Sequence, residues 1–251
     1  YNGELQIDEE TQEIEKGVEI ISSPDNTLEK VIAHILKENN AGSFQQMMDK
    51  AEEMSHDEKL EILERKVQNR GQYDEWVGRN EELDIEKTVV EIKTDIGALR
   101  DLRRHQKNDR AENIYSLDMG YERPHQLDEM SERANELFDE TMKIAHEAEK
   151  QIRKDFPLQV QYILPMATMT TITMSLGFDQ LQYFTNLRST PEGNFSYRQD
   201  AFNLGEAAVK EYPWLLGLEE YPKGKDIIEV YEEAPMKDLF KLQTEETTLH
   251  T

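Results

Sequence analysis

The sequence contains no cysteine among its 251 residues. Disulfide bonds, a thiolate nucleophile and zinc or iron–sulfur sites ligated by cysteine are therefore excluded within it. It also lacks an apolar run near the ~20 residues that span a bilayer, because Pro165 interrupts the most apolar stretch, residues 162–176. No secretory signal is recognisable. We therefore expect a cytoplasmic protein that does not act at a membrane.

Positive charge is scarce, because 29 lysine and arginine residues stand against 53 aspartate and glutamate residues, for a formal net charge of −24. This balance argues against a nucleic-acid polymer as a partner, which needs a basic face. One short segment concentrates basic side chains: Arg100, Arg103, Arg104, His105, Lys107 and Arg110. Such a cluster indicates either a solvated helix end, where cations are favoured, or an anion site, because guanidinium groups suit phosphate.

The motifs of several enzyme classes are missing as well. The sequence has no Gly-x-Ser-x-Gly nucleophile motif, no phosphate loop and no Gly-x-Gly-x-x-Gly. Its six histidines include no pair at spacing four with a glutamate between them, so no zinc-protease site is expected and no metal site is predicted. His146, beside Glu147, is expected on a solvated helix face.

Apolar periodicity predicts a mixture of helices and strands. Helical spacing occurs over residues 28–36, 44–54, 60–67, 96–104, 124–152, 178–188 and 197–209. Alternation predicts extended segments at residues 18–21, 86–93, 160–164, 166–176 and 227–230. These elements predict an α+β fold with a mixed or antiparallel sheet flanked by long helices.

No internal repeat and no clear linker divides the chain, so we predict a single domain. Its parts are an acidic N-terminal arm (residues 1–22), a helical part (23–83) and a core with an acidic tail (84–251). The arm is interpreted as an extended segment or edge strand. The sequence begins at Tyr1, and it leaves open whether residues or a homologous half precede it.

Two blocks of the sequence resemble the flavin-dependent thymidylate synthases. The first runs Leu99-Arg100-Asp101-Leu102-Arg103-Arg104-His105-Gln106 and continues to Tyr115-Ser116-Leu117-Asp118-Met119-Gly120-Tyr121. It resembles the Arg-His-Arg signature of that family, which is followed by a serine. The second combines Leu164-Pro165, a threonine-rich strand and the helix that ends Asn186-Leu187-Arg188-Ser189. The resemblance covers about residues 86–216 and is closest to the second half of a divergent, tandem branch.

The resemblance implies a fold, an activity and a set of ligands. Members of the family convert deoxyuridylate (dUMP) to thymidylate (dTMP) with FAD, NADPH and methylenetetrahydrofolate. Their fold is α+β, and their sites form between the subunits of a tetramer. For this chain the resemblance therefore implies a flavoprotein methyltransferase of nucleotide biosynthesis. It also implies a homo-oligomer, or pairing with a homologous upstream half.

Roles for individual residues follow from the same resemblance. The residues implied in FAD binding are Arg103, Arg104, His105, Gln106 and Tyr183. The residues implied in binding the nucleotide substrate are Ser116, Gln161 and Arg188, of which Ser116 would face the phosphate. Arg188 is also the implied catalytic residue, because it would bind the pyrimidine and polarise it.

Several positions depart from the family pattern. Gln106 replaces the last arginine of the signature, and Gln161 stands where a phosphate-binding arginine is common. Asp118 also replaces an arginine, and its negative charge would repel phosphate. Gly177-Phe178-Asp179 replaces an Asn-x-Arg motif, and no upstream histidine motif is visible.

Three interpretations therefore stay open. The chain is an enzyme, alone or with a partner half, or it is a degenerate copy that acts as a structural or oligomerisation partner. The third is an acidic helical adaptor that matches the two blocks by chance. Under the structural interpretations, Arg188 only pairs with an acidic neighbour, Tyr183 is a core residue, and Arg103 and Arg104 balance acidic residues of the long helix.

Overall fold

The computed structural model describes residues 12–67, 84–189 and 193–214. Within them the chain forms two compact units. The first unit contains residues 12–17, 92–104 and 111–172, and the second contains 18–67, 84–91, 105–110, 173–189 and 193–214. The strand predicted at residues 227–230 lies outside the described residues.

Four strands form an antiparallel sheet. They are β1 (Gly17–Ser22), β2 (Lys87–Asp95), β3 (Asp109–Glu112) and β4 (Met169–Gly177), in the spatial order β1-β2-β4-β3. Buried residues alternate along both central strands, as in a sheet with one face packed against a core. The α+β class is confirmed, and so is the extended segment at residues 18–21. The short polar strand β3 was not predicted.

The first unit is built around one long helix. Strand β2 passes into helix α4 (Ile96–Leu102), and the Asp95 carboxylate caps that helix by accepting a hydrogen bond from the Ala98 N–H at 2.8 Å. Helix α5 (Glu132–Arg153) follows, between 3₁₀ turns at Leu117–Met119, His125–Glu129 and Gln159–Ile163. The buried residues of this core are Ile96, Leu117, Met142 and Leu164.

Two predictions for this unit were wrong in detail. The predicted helix over residues 124–152 is interrupted at Met130, because Ser131 caps a new helix through a bond from the Ala134 N–H. The predicted strand over 160–164 is a 3₁₀ turn. Its backbone closes locally, with the Val160 N–H donating to the Phe156 carbonyl, so Val160 is buried by a turn instead of a sheet.

The second unit contains the remaining helices, which are α1 (Thr27–Asn39), α2 (Phe44–Glu53), α3 (His56–Val67), α6 (Phe178–Arg188) and α7 (Phe195–Glu211). An aromatic cluster lies in its core, where the ring of Phe178 meets those of Tyr212 and Trp214 edge-on at centroid distances of 4.8 and 5.0 Å. Helix α6 spans the residues predicted from its apolar spacing. None of the described helices is long and apolar enough to cross a membrane.

Candidate functional site

Arg103 and Arg104, the two arginines implied in FAD binding, directly follow α4 in the first unit. The Arg103 guanidinium donates from Nε to both carboxylate oxygens of Glu112, at 2.9 and 2.8 Å, and also contacts the Tyr115 hydroxyl. The hydrogen bonds to Glu112 raise the pKa of Arg103. Arg104 pairs with Asp101 at 3.2 Å and is largely exposed. These two ion pairs join Arg103 and Arg104 to Glu112 and Asp101, which lie outside the long helix α5.

His105 belongs to the second unit, where it is buried with 4% of its surface exposed. Its ring packs against the rings of Tyr183 and Phe184 on α6, at centroid distances of 5.7 and 5.2 Å. Burial, followed by the positive charge of Arg188, lowers the pKa of His105 to about 4, although Gln180 and Asp179 act against this shift. The imidazole is therefore neutral at physiological pH. Among the described residues its buried Nε2 atom has no hydrogen-bond partner.

Lys107 connects the same segment to the start of α6. Its ammonium group lies 2.8 Å from the buried carboxylate of Asp179 and 3.1 Å from Asp84. These carboxylates raise the pKa of Lys107 against the opposing effect of burial. A side chain at Gly177 would collide with Asp84, so the glycine permits this close approach. The ion pairs hold the His105 segment against α6.

Arg188 lies on the last turn of α6. Its guanidinium carbon is 5.7 Å from the centre of the Tyr197 ring, a cation–π arrangement. The Nε atom is buried and has no hydrogen-bond partner within the described part of the chain. Tyr183 is half-buried and Gln106 is exposed. The second unit thus brings together three of the predicted site residues, namely His105, Tyr183 and Arg188.

Ser116 lies in the first unit, in a dense network of charged groups. Its hydroxyl donates to Asp118 Oδ2 at 3.0 Å and accepts from Arg153 Nη2 at 2.5 Å. Asp118 also accepts from Arg153 Nη1 at 2.6 Å and lies 2.9 Å from His146 Nε2. Burial alone would raise the pKa of Asp118, but hydrogen bonds from His146, Arg153 and Ser116 lower it to about 2. His146 keeps 34% of its side-chain surface exposed, but the sequence did not predict the contact of its ring with Asp118.

Glu149 is a further member of this network. It is fully buried, forms an ion pair with Arg153, and accepts the Leu117 N–H at 2.9 Å. Both carboxylates raise the pKa of Arg153, against the effect of its burial. The guanidinium is thus bound on two sides by carboxylates of its own chain.

A cavity of about 250 Å³ adjoins the network. Ser116 and Arg153 are among its lining residues, together with apolar side chains such as Ile114, Met119 and Val160. Gln161 lies beside it but is engaged within the chain: its Oε1 accepts from the Tyr115 N–H at 3.0 Å and its Nε2 donates to the Leu158 carbonyl at 3.1 Å.

Sequence reasoning did not single out Arg153 and Glu149. Their signal was their position on α5, at helical spacing from the buried Met142, which places polar side chains on the inward face of an amphipathic helix. Asp179 and Gln180 were not proposed as site residues either: Asp179 was noted only as a departure from the family's Asn-x-Arg motif, and nothing in the local pattern singles out Gln180.

The residues of the two blocks are therefore distributed over both units. Residues 27–214 match the sequence profile of a family described as thymidylate synthase complementing protein. The chain belongs to this family. The resemblance to the flavin-dependent thymidylate synthases is thereby confirmed. A chance match of an acidic helical adaptor is excluded, because the profile spans both units.

Three relatives in this family illustrate how far the likeness extends. A UPF0159 protein of Chlamydia muridarum is 27% identical over 206 residues, which is 82% of this chain and 38% of that protein. A UPF0159 protein of Chlamydia pneumoniae is 29% identical over 196 residues, 78% of this chain and 36% of that protein. UPF0159 protein Ta1429 of Thermoplasma acidophilum is 28% identical over 149 residues, 57% and 30% of the two chains. The chain therefore spans less than two fifths of the length of these curated relatives.

Proposed function

We propose that this chain is part of an FAD-dependent enzyme that methylates dUMP to dTMP, and that its second unit contributes to the FAD site. The observation that carries the proposal is a pair of buried nitrogen atoms, His105 Nε2 and Arg188 Nε, without partners among the described residues. Buried polar atoms in native proteins are nearly always hydrogen-bonded. Two such atoms without partners, on neighbouring groups, therefore support the proposal that a ligand forms hydrogen bonds with them.

The residues present fit a flat, heteroaromatic cofactor with polar edges. Tyr183 offers a half-buried aromatic ring beside His105, and Arg188 offers a positive charge close enough to lower the pKa of that histidine. A neutral imidazole provides one donor and one acceptor nitrogen, so it can bind a polar edge without adding charge. Arg188 is then the group that stabilises negative charge.

When bound, FAD would supply the redox chemistry of the reductive methylation, and NADPH and methylenetetrahydrofolate would be the co-substrates. The residues of this chain would bind and orient FAD and exclude water from the site. His105 is held by aromatic rings, Lys107 fixes the segment that carries it, and Arg188 is the candidate for polarising the pyrimidine. An oligomer, or a homologous partner half, would supply the rest of the site.

A second candidate is a catalytically degenerate copy of the fold that serves as a structural or oligomerisation partner. The observation that favours it is the network at Ser116, the residue that the resemblance assigns to the substrate phosphate. There, Asp118 already accepts hydrogen bonds from Arg153 and Ser116. Under this candidate the phosphate of the substrate binds outside this unit or not at all.

FAD titration of the purified full-length protein distinguishes the two candidates. We expect flavin absorbance bands on the protein as purified, or saturable quenching of FAD fluorescence on titration. His105→Gln and Arg188→Ala should each raise the Kd for FAD at least tenfold. Two matched controls, His56→Gln on the exposed side of α3 and Arg123→Ala, whose partner is Asp139, should change it less than twofold.

Folding of each variant is checked by circular dichroism before titration. If the folded wild-type protein does not bind FAD, the proposal is contradicted and the degenerate copy is favoured. Equal FAD affinity in all four variants contradicts the assignment of the site to His105 and Arg188. Binding that is lost in those two variants alone justifies assaying the conversion of dUMP.

A further inference from the structure

Three side-chain groups converge on the carboxylate of Asp118 in the first unit. Arg153 donates to Oδ2 at 2.6 Å, the Ser116 hydroxyl donates to the same oxygen at 3.0 Å, and His146 Nε2 lies 2.9 Å from Oδ1. The Asp118 N–H in turn donates to Ser116 Oγ at 3.0 Å. A guanidinium, an imidazole and a hydroxyl that surround one anion form the donor set with which proteins bind small oxyanions. Here the anion is a side chain of the same chain.

The cavity at this network contains no cationic side chain without a counter-charge among its lining residues. Arg153 is the cation in that lining, and it is paired with Asp118 and with the fully buried Glu149. The Ser116 hydroxyl is used by both Arg153 and Asp118. An incoming phosphate would therefore meet two carboxylates at short range and would have to displace one of them from Arg153.

We propose that Asp118 is a specificity-determining residue, a built-in counter-anion that keeps phosphate-bearing ligands out of the cavity at Ser116. The cavity consequently admits only ligands without a phosphate, and the donor set becomes an anion site when the carboxylate is removed. This inference rests on the first unit alone and does not depend on FAD binding by the second.

Chemical rescue of Asp118→Ala tests it. The substitution leaves Arg153, His146 and Ser116 around a space the size of a carboxylate. We expect the melting temperature of the full-length variant to fall, and then to rise saturably with millimolar phosphate or formate at constant ionic strength, as for a ligand that binds only the folded state. The wild-type protein should show no saturable response to either ion that Ser116→Ala abolishes.

The matched control is Asp139→Ala on the same helix as His146. Asp139 accepts from Arg123 at 2.6 Å, but both side chains are exposed. Losing this pair should give no saturable phosphate response, because water replaces the missing carboxylate. Equal rescue of both variants would show a general salt effect and overturn the proposal.

A second variant covers the case in which Asp118→Ala does not fold. Asp118→Asn keeps the size of the side chain, and phosphate binding to it can be followed by ³¹P NMR. We expect at least a fivefold gain in phosphate affinity over the wild type. A wild-type protein that binds phosphate and loses it in Ser116→Ala overturns the proposal, and so does a folded Asp118→Asn with no gain. FAD titration of the same variants should be unchanged, which separates this test from that of the second unit.

Discussion

The Asp118 carboxylate lies 2.6 Å from the Arg153 guanidinium, across 35 positions of sequence. The contact joins a 3₁₀ turn to the last turn of α5, and it stands where a nucleotide phosphate would be expected from family resemblance. An acidic side chain that replaces an arginine of the family pattern is thus an integrated part of the first unit.

This contact predicts a specific acid sensitivity. Asp118 has a pKa of about 2 in the folded protein against an ordinary value of 3.8, so its ionised form stabilises the fold above pH 4 and the stabilisation disappears as the pH falls towards 2. The shift corresponds to about 2 kcal/mol. Urea unfolding of wild type and Asp118→Asn should therefore show a free-energy gap at pH 5 that closes below pH 3. A gap that does not change with pH contradicts the shifted pKa.

The lowered pKa of His105 predicts that the stability of the fold depends on pH over a different range. Its pKa is about 4 in the fold against an ordinary 6.5, so the unfolded chain takes up a proton first as the pH falls. The stability that depends on neutral His105 is complete above pH 6.5 and is lost between 6.5 and 4, by about 3 kcal/mol. His105→Gln should flatten the stability curve over this range. NMR titration of the imidazole provides the direct check, and a midpoint near 6.5 would contradict the prediction.

Glu149 and Glu147 form a matched pair on α5. Glu149 is fully buried between Arg153 and the Leu117 N–H, whereas Glu147 is exposed. Replacing Glu149 with Gln should lower the free energy of unfolding by about 2 kcal/mol, because a charge-assisted bond is weakened where water does not replace it. Glu147→Gln should change it by less than about 0.5 kcal/mol. Chemical denaturation measures both, and equal effects would show that the buried network contributes no more than the surface.

Two glycines, Gly17 in the first unit and Gly177 in the second, allow a similar comparison. A methyl group at Gly177 would meet Asp84 and the carboxylate of Asp179, whereas one at Gly17 would find no atom within 4 Å. Gly177→Ala should destabilise the protein by about 1–3 kcal/mol, as expected when a tight contact is overfilled. Gly17→Ala should be neutral within about 0.5 kcal/mol. If Gly177→Ala is as stable as Gly17→Ala, the close approach of Asp84 to residue 177 does not contribute to the stability of the protein.

Local sequence patterns gave most elements but missed some of their boundaries. Helices α6 and α4 follow from the helical spacing over residues 178–188 and 96–104. The alternation over residues 160–164 suggested a strand, but a strand needs a neighbour to pair with, and here the backbone closes on itself in a 3₁₀ turn. Strand β3 has no apolar alternation, so its pairing partner and not its own sequence makes it a strand.

The candidate site, too, was predicted only in part from the sequence. The sequence by itself determined which residue types are available: the cluster around His105, Arg188 at the end of a helix, and an aspartate two positions after Ser116. Only the tertiary structure decided their chemistry, because the pKa and the partners of a charged group depend on burial and on residues distant in sequence. His105 is neutral because it is buried against aromatic rings. Asp118 pairs with Arg153 and His146 on α5, and the sequence pattern of that helix did not predict these contacts.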